Sequence, residues 1–201
     1  MRAWLYNRAL LPLTSKWYRA VLERLPEGAR LLDVGIGTGG ALIRNKDLLL
    51  SKQITVVGVD IDADYVKTCA KAVKKHQLDE QVSVELRSIY DFSQDGFDAA
   101  YFSASFMLMP DPPKALAHVC SLLSDGGRVY FTQTIEEERS PLVEKTKPML
   151  KKLTTIDFGR VTYEDEFLST VSQAGIQVIE NTRLGGSKAR SSKLFVGEPH
   201  A

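Results

Sequence analysis

The run Leu31-Leu32-Asp33-Val34-Gly35-Ile36-Gly37-Thr38-Gly39-Gly40 constrains this chain more than any other stretch. It reads as a buried strand that ends in a glycine-rich turn and opens a helix. Val56-Val57-Gly58-Val59-Asp60 follows, a second apolar strand whose carboxylate lies 21 residues beyond Gly39. A backbone that approaches a ligand closely has no room for Cβ atoms, and a sharp strand-to-helix turn often needs a positive φ. Glycine meets both demands. Gly35, Gly37 and Gly39 alternate through the turn, so the main chain can lie against a ligand. Asp60 closes the next strand, where a carboxylate can accept both hydroxyl protons of a ribose. Together these features describe a nucleoside-binding crevice at the carboxyl ends of parallel strands.

The letters Gly35-x-Gly37-x-x-Gly40 also satisfy the dinucleotide pattern G-x-G-x-x-G. Asp33, two residues before the first glycine, argues against a dinucleotide. A pyrophosphate cradle gains nothing from a carboxylate aimed into it, since like charges repel. A ligand with an ammonium group gains a counter-charge.

At these residues the chain resembles a known family. LLDVGIGTGG followed by VVGVDID is similar to the first two motifs of the class I S-adenosylmethionine-dependent methyltransferases. The resemblance continues through Phe97-Asp98 and through Leu122-Leu123-Ser124-Asp125-Gly126-Gly127-Arg128-Val129, which leads into a fifth strand. It covers about residues 29–135 by motif and the C-terminal third by pattern. It implies S-adenosylmethionine as cofactor, S-adenosylhomocysteine as product, and no metal. It also implies site roles. The turn Gly35, Ile36, Gly37, Thr38 and Gly39 would bind the amino-acid end, with Asp33 reaching the ammonium directly or through water. Asp60 would bind the ribose hydroxyls, and Ile61 would pack on the adenine face. The family often carries an acidic residue after the third strand, near the adenine amino group. This chain departs there with Arg87-Ser88-Ile89, so the Ser88 hydroxyl and the Ile89 main chain are the expected adenine contacts. Ser103 lies where the main chain would pass the methionine part.

Strands alternate with helices through residue 175, and two strands then come together. That order predicts an α/β, doubly wound, mostly parallel sheet with a C-terminal antiparallel hairpin and helices on both faces. The resemblance implies seven strands and one domain over residues 1–201. Within it, residues 1–28 form an N-terminal helical lid broken at Pro12, residues 29–135 the cofactor core, and residues 136–201 a substrate-side segment and closing hairpin. One helix is expected over 39–50 and another over 63–77 with Val66, Cys69, Ala70 and Val73 inward. Gly126-Gly127 should stop the helix that begins near Pro112. Ser140-Pro141 should open a helix that kinks at Pro148, and Thr162-x-x-Asp165 has capping-box form.

A chain of 201 residues holds one domain with a substantial core. A net charge of +1 implies no bulk attraction to nucleic acid or anionic membrane. No apolar run approaches the ~20 residues that span a bilayer. Pro12 and Lys16 interrupt any secretory apolar stretch. Cys69 and Cys120 both fall on apolar helix stripes, which suits buried thiols in a reducing, cytoplasmic setting. No Cys, His, Asp and Glu cluster has metal-ligand spacing.

The acceptor end is less defined. Ser103 to Pro110 is apolar and lacks the Asn/Asp-Pro-Pro-Tyr signature of enzymes that methylate planar nitrogens. Met107 and Met109 either line an adaptable pocket or pack under the neighbouring helix. Tyr6 is the candidate substrate-side hydroxyl in an aromatic N-terminal segment with Trp4, Trp17 and Tyr18. With Arg2, Arg8 and Lys16 that segment also suits weak contact with a membrane surface. Gln133, Glu136, Asp157 and Arg160 are within reach of an acceptor or simply solvated. The same holds for Arg183, Lys188, Arg190 and Lys193 in a predicted loop. The reading that follows is methyl transfer to an oxygen or nitrogen of a small-molecule or lipid-like acceptor. Its rivals are an NAD-dependent oxidoreductase and a non-catalytic scaffold that works with a partner.

Overall fold

Five strands run parallel: β1 (Arg30–Val34), β2 (Thr55–Asp60), β3 (Val82–Leu86), β4 (Phe97–Ser103) and β5 (Leu123–Glu136). Strands buried on both faces need continuous apolar sequence, and four of the five β1 residues are fully buried. β6 (Ile176–Gly186) and β7 (Arg190–Pro199) add an antiparallel hairpin, giving one sheet in the order β3-β2-β1-β4-β5-β7-β6. The computed structural model describes residues 11–137 and 162–200. The chain runs outward from β1 to β3, then returns to β4 on the other side of β1. The connections that leave the carboxyl ends of β1 and β4 therefore turn to opposite faces of the sheet, and a crevice opens between them.

The helices are α1 (Leu11–Arg24), α2 (Gly40–Ile43), α3 (Lys46–Ser51), α4 (Ala63–Lys75), α5 (Pro112–Ser121) and α6 (Glu164–Gln173). Because strand side chains alternate, β1 sends Leu31 and Asp33 to one face and Leu32 and Val34 to the other. On the first face Leu31, Val56 and Tyr101 pack under Tyr18, Val21 and Leu22 of α1 and Cys69 and Val73 of α4. On the second, Leu32, Val57 and Phe102 pack under Leu116 and Val119 of α5 and Phe167 and Val171 of α6. Phe102, Phe106, Phe131, Phe167 and Phe195 form a chain of ring contacts there, with centroids 4.5–5.9 Å apart.

Pro12 is the second described residue of α1, and the residues before Leu11, where the first helical piece is expected, lie outside the described residues. Several boundaries differ from expectation, each for a local reason. The expected helix over 39–50 is two helices, because buried Asn45 turns its amide to Ala41 O and to Ser15 O on α1, both at 2.9 Å. Ala70 is exposed and Ala72 packs inward in its place. β5 begins at Leu123, before Gly126-Gly127, because Leu123 pairs with Phe97 through an irregular register. The N-cap of α6 is Tyr163, so Thr162 does not open a capping box with Asp165. Cys120 is half-buried, whereas Cys69 is buried as expected. The closing hairpin is longer than predicted, which places Arg183, Arg190 and Lys193 in strands. The helix expected from Ser140-Pro141, and Trp4, Tyr6, Asp157 and Arg160, lie outside the described residues. No helix among the described residues is long and apolar enough to cross a membrane.

Candidate functional site

The glycine turn carries three left-handed residues, Gly35 at φ +82°, Gly37 at +61° and Gly39 at +67°. The amides of Gly35 and Ile36 donate to Val59 O at 2.8 and 3.3 Å, which ties the turn to β2. A Cβ at Gly35 would lie 2.7 Å from Ser105 Cβ, and one at Gly39 would lie 2.4 Å from Cys69 Sγ. At Gly37 a Cβ would meet nothing within 4 Å. The turn is thus closed on two sides and open at its middle glycine. The open side is a crevice lined by residues 35–41, by Leu11, Thr14 and Tyr18 of α1, and by Ser103 at the end of β4. Gly35, Ile36, Gly37, Thr38, Gly39 and Ser103 therefore share one cleft, with α1 across it.

Asp60 stands at the rim. Its Oδ2 accepts from Gly37 N at 2.9 Å and its Oδ1 from Asp62 N at 2.9 Å. Each carboxylate oxygen takes more than one donor, so both retain capacity for a ligand hydroxyl. Ile61, the next residue, is 78 % exposed. Leu86 pairs in register with Asp60 and is also exposed, which puts two apolar side chains at the same edge. The Ser88 hydroxyl accepts from Tyr90 N and caps the short turn that holds buried Ile89. The Tyr90 hydroxyl donates to Asp111 O at 2.8 Å and accepts from Asp111 N at 3.0 Å, so the segments after β3 and β4 are joined.

Asp33 is fully buried. The Tyr18 hydroxyl donates to its Oδ2 at 2.8 Å, while Oδ1 has no partner among the described residues. A buried carboxylate oxygen left unpaired costs on the order of 1–3 kcal/mol or more. Burial pushes the Asp33 carboxyl up from 3.8 to about 7; the Tyr18 hydrogen bond opposes this and the Asp60 charge adds to it. Between those values the folded chain holds this proton more tightly than the unfolded chain does. Its contribution to stability is then complete below the unfolded value and is lost as pH rises through the folded one. The unfolding midpoint of the ligand-free protein, compared with Asp33→Asn, should therefore fall between about pH 4 and pH 7 and level off above. Denaturant titrations at several pH values check this, and parallel profiles for the two proteins would remove the assignment. Burial also raises the Cys69 thiol to about 12 and Cys120 to about 11, so neither is a thiolate nucleophile at neutral pH.

The exit of β4 is sharply bent. Ala104 has φ +55°, a conformation uncommon outside glycine, and its amide donates to Thr132 O at 2.8 Å. The Ser105 hydroxyl donates to Val34 O at 2.5 Å and so pins this bend to the end of β1. Met107 and Met109 pack against the second apolar layer. Three of the four cations offered to an acidic ligand have carboxylate partners within the fold, and Lys188 is exposed. Arg183 pairs with Glu137 at 3.3 Å, Arg190 with Glu136 at 3.4 Å, and Lys193 with Glu137 at 3.6 Å and with Glu164. Gln133 bonds Thr162 at 3.4 Å. His118 bonds Phe92 O at 2.7 Å, and His76 caps the C-terminus of α4. Among the described residues no group of three or more His, Cys, Asp or Glu is placed to hold a metal ion.

A family model described as "Methyltransferase domain" matches residues 25–178, a span that contains the glycine turn, Asp60 and the β4 exit. The chain belongs to the class I S-adenosylmethionine-dependent methyltransferases. It is 26% identical over 171 residues to O-methyltransferase cnsE of Penicillium expansum, a match covering 84% of this chain and 59% of that one. It is 32% identical over 130 residues to the ubiquinone biosynthesis O-methyltransferase of Xanthomonas axonopodis pv. citri, covering 62% of this chain and 50% of that one. The chain thus spans little more than half the length of these curated relatives. The crystal structure of the [4+2]-cyclase SpnF superposes with a TM-score of 0.76 at 16% identity, covering 93% of this methyltransferase-family chain and 82% of the cyclase. That likeness shows the fold.

The site residues fit S-adenosylmethionine. Open space at Gly37 admits a ligand against the main chain. Asp60 has capacity for ribose hydroxyls, Ile61 and Leu86 offer apolar surface to a base, and the unpaired Asp33 Oδ1 suits an ammonium. Two of these features were not legible as site residues in the sequence. Tyr18 reaches Asp33 only through the packing of α1, and Leu86 comes beside Ile61 only through the pairing of β3 with β2.

Proposed function

We propose that this chain transfers a methyl group from S-adenosylmethionine to an oxygen or nitrogen of a small-molecule or lipid-like acceptor. The observation that carries the reading is the glycine turn, open at Gly37 and hydrogen-bonded there to the Asp60 carboxylate. When bound, S-adenosylmethionine supplies a sulfonium methyl that is attacked in line by a nucleophile, with loss of the positive charge. This chain's residues hold and orient it. Asp60 accepts the ribose hydroxyls, Ile61 and Leu86 flank the adenine, and Ser88 and the Ile89 main chain reach its polar edge. Gly35 to Gly39 and Ser103 bound the methionine part, and Asp33 balances its ammonium. Most of the rate then comes from proximity and alignment.

The two relatives named above carry O-methyltransferase names and a third is a phosphatidylethanolamine N-methyltransferase of Cereibacter sphaeroides, so the reading spans oxygen and nitrogen acceptors. Residues 1–28 serve as a lid; the crevice-lining Leu11, Thr14 and Tyr18 of α1 support this. Tyr6 serves as the substrate-side hydroxyl, and full turnover by Tyr6→Phe would retire it. Cys69 and Cys120 are free thiols, which supports a reducing, cytoplasmic setting. The near-neutral charge supports small-molecule rather than nucleic-acid partners. The direct test incubates the protein with methyl-labelled S-adenosylmethionine and pools of phenols, carboxylic acids, amines and quinol lipids. Label in one acceptor, with stoichiometric S-adenosylhomocysteine, is expected. Binding of the cofactor with no transfer to any pool would count for the scaffold reading.

A further inference from the structure

Asp33 raises a question of charge. It is fully buried, two residues before Gly35, on the sheet face that α1 covers. Its one hydrogen-bond donor among the described residues is the neutral Tyr18 hydroxyl, and the Asp60 charge that acts on it is of the same sign. Tyr101 from β4 and Cys69 from α4 also belong to its surroundings, the thiol neutral because burial raises it to about 12. None of these groups brings a positive charge. Two carboxylates flank the glycine turn, Asp33 just before it and Asp60 bonded to Gly37 N, and the buried Asp33 oxygen without a partner is one that a cation from the ligand would balance.

Tyr18 is the residue that touches both the carboxylate and the cleft. Its ring is held in place. It meets Tyr101 edge-on at 4.9 Å, and the Tyr101 hydroxyl is bonded to Thr132 Oγ1 at 2.7 Å. A hydroxyl on a ring wedged in this way fixes the carboxylate it bonds.

We propose that Tyr18 is a positioning residue for the amino-acid end of the cofactor: its hydroxyl fixes the Asp33 carboxylate so that Oδ1 is kept for the ligand's ammonium, directly or through one water. Docking of α1 thereby completes the methionine half of the site. The inference rests on the cofactor reading above. It predicts an effect confined to ligands that carry the amino-acid end.

The test titrates the intact chain and three variants, Tyr18→Phe, Asp33→Asn and the double variant, with two probes. S-adenosylhomocysteine has the amino-acid end; 5′-methylthioadenosine lacks it. Tyr18→Phe keeps the ring and its contact with Tyr101, and thermal unfolding checks that it is folded. Its affinity for S-adenosylhomocysteine should fall by about tenfold, the size expected for one hydrogen bond to a charged group. Its affinity for 5′-methylthioadenosine should stay within about twofold. Asp33→Asn should show the same selectivity, and the double variant should lose little more than Asp33→Asn alone, because Tyr18 acts through Asp33. Equal weakening of both probes, no weakening of either, or full additivity in the double variant would overturn the proposal while leaving the cofactor reading intact. A wild-type chain that binds neither probe would overturn both.

Discussion

Replacing Asp60 with alanine will weaken S-adenosylmethionine binding by about two orders of magnitude or more. The carboxylate is held by Gly37 N and Asp62 N, each at 2.9 Å, so it meets a ribose without reorganising. Hydrogen bonds to a charged acceptor contribute roughly 1.5–3 kcal/mol each, and a ribose offers two hydroxyls. The variant also frees the Gly37 amide, which loosens the part of the turn that faces open space. Stability should change far less, by about 1 kcal/mol, because the two released amides sit at the crevice rim where water can reach them. Calorimetric titration beside thermal unfolding separates the two effects. Affinity within about threefold of wild type would remove the ribose assignment.

Gly37→Ala and Gly39→Ala should fail in opposite ways. Both glycines are left-handed, at φ +61° and +67°, so each alanine costs roughly 1–2 kcal/mol in backbone strain. At Gly37 the added methyl enters open space, so the protein should fold but bind cofactor on the order of tenfold or more weakly. At Gly39 the methyl would lie 2.4 Å from the buried Cys69 sulfur. Overpacking adds roughly 1–3 kcal/mol, so this variant should lose stability first. Combining it with Cys69→Ala removes the sulfur and leaves the Cys69 Cβ at 3.6 Å, an ordinary contact. The packing part of the loss should then return and the strain part should remain. Denaturant midpoints and cofactor titrations on the four proteins decide the matter. A Gly37→Ala variant that binds as well as wild type would mean that the ligand does not pass the open side of the turn.

The glycine turn, Asp60 at a strand end and the alternation of strands with helices were legible because each rests on local chemistry. A strand buried on both faces is mostly apolar, a tight turn at positive φ favours glycine, and a carboxylate at a strand end stands at the crevice mouth. What was not legible depends on contacts between distant elements. Tyr18 and Asp33 are 15 residues apart and meet only because α1 docks on β1. The break at Asn45 is set by its reach of 30 residues to Ser15. Arg183, Arg190 and Lys193 look like a solvated loop in sequence. In the fold they face Glu136, Glu137 and Glu164, which arrive from β5, from the residue after it and from α6. Arg183 lies on the edge strand β6, where a charge discourages pairing with another chain.

The measurement that bears most directly on the whole reading is calorimetric titration of the purified chain with S-adenosylmethionine, S-adenosylhomocysteine and NAD in parallel. Micromolar binding of the first two and none of NAD is the predicted result. Binding of NAD alone would contradict it and make Gly40 a dinucleotide glycine, and binding of none of the three would contradict the claim that this crevice holds a cofactor at all.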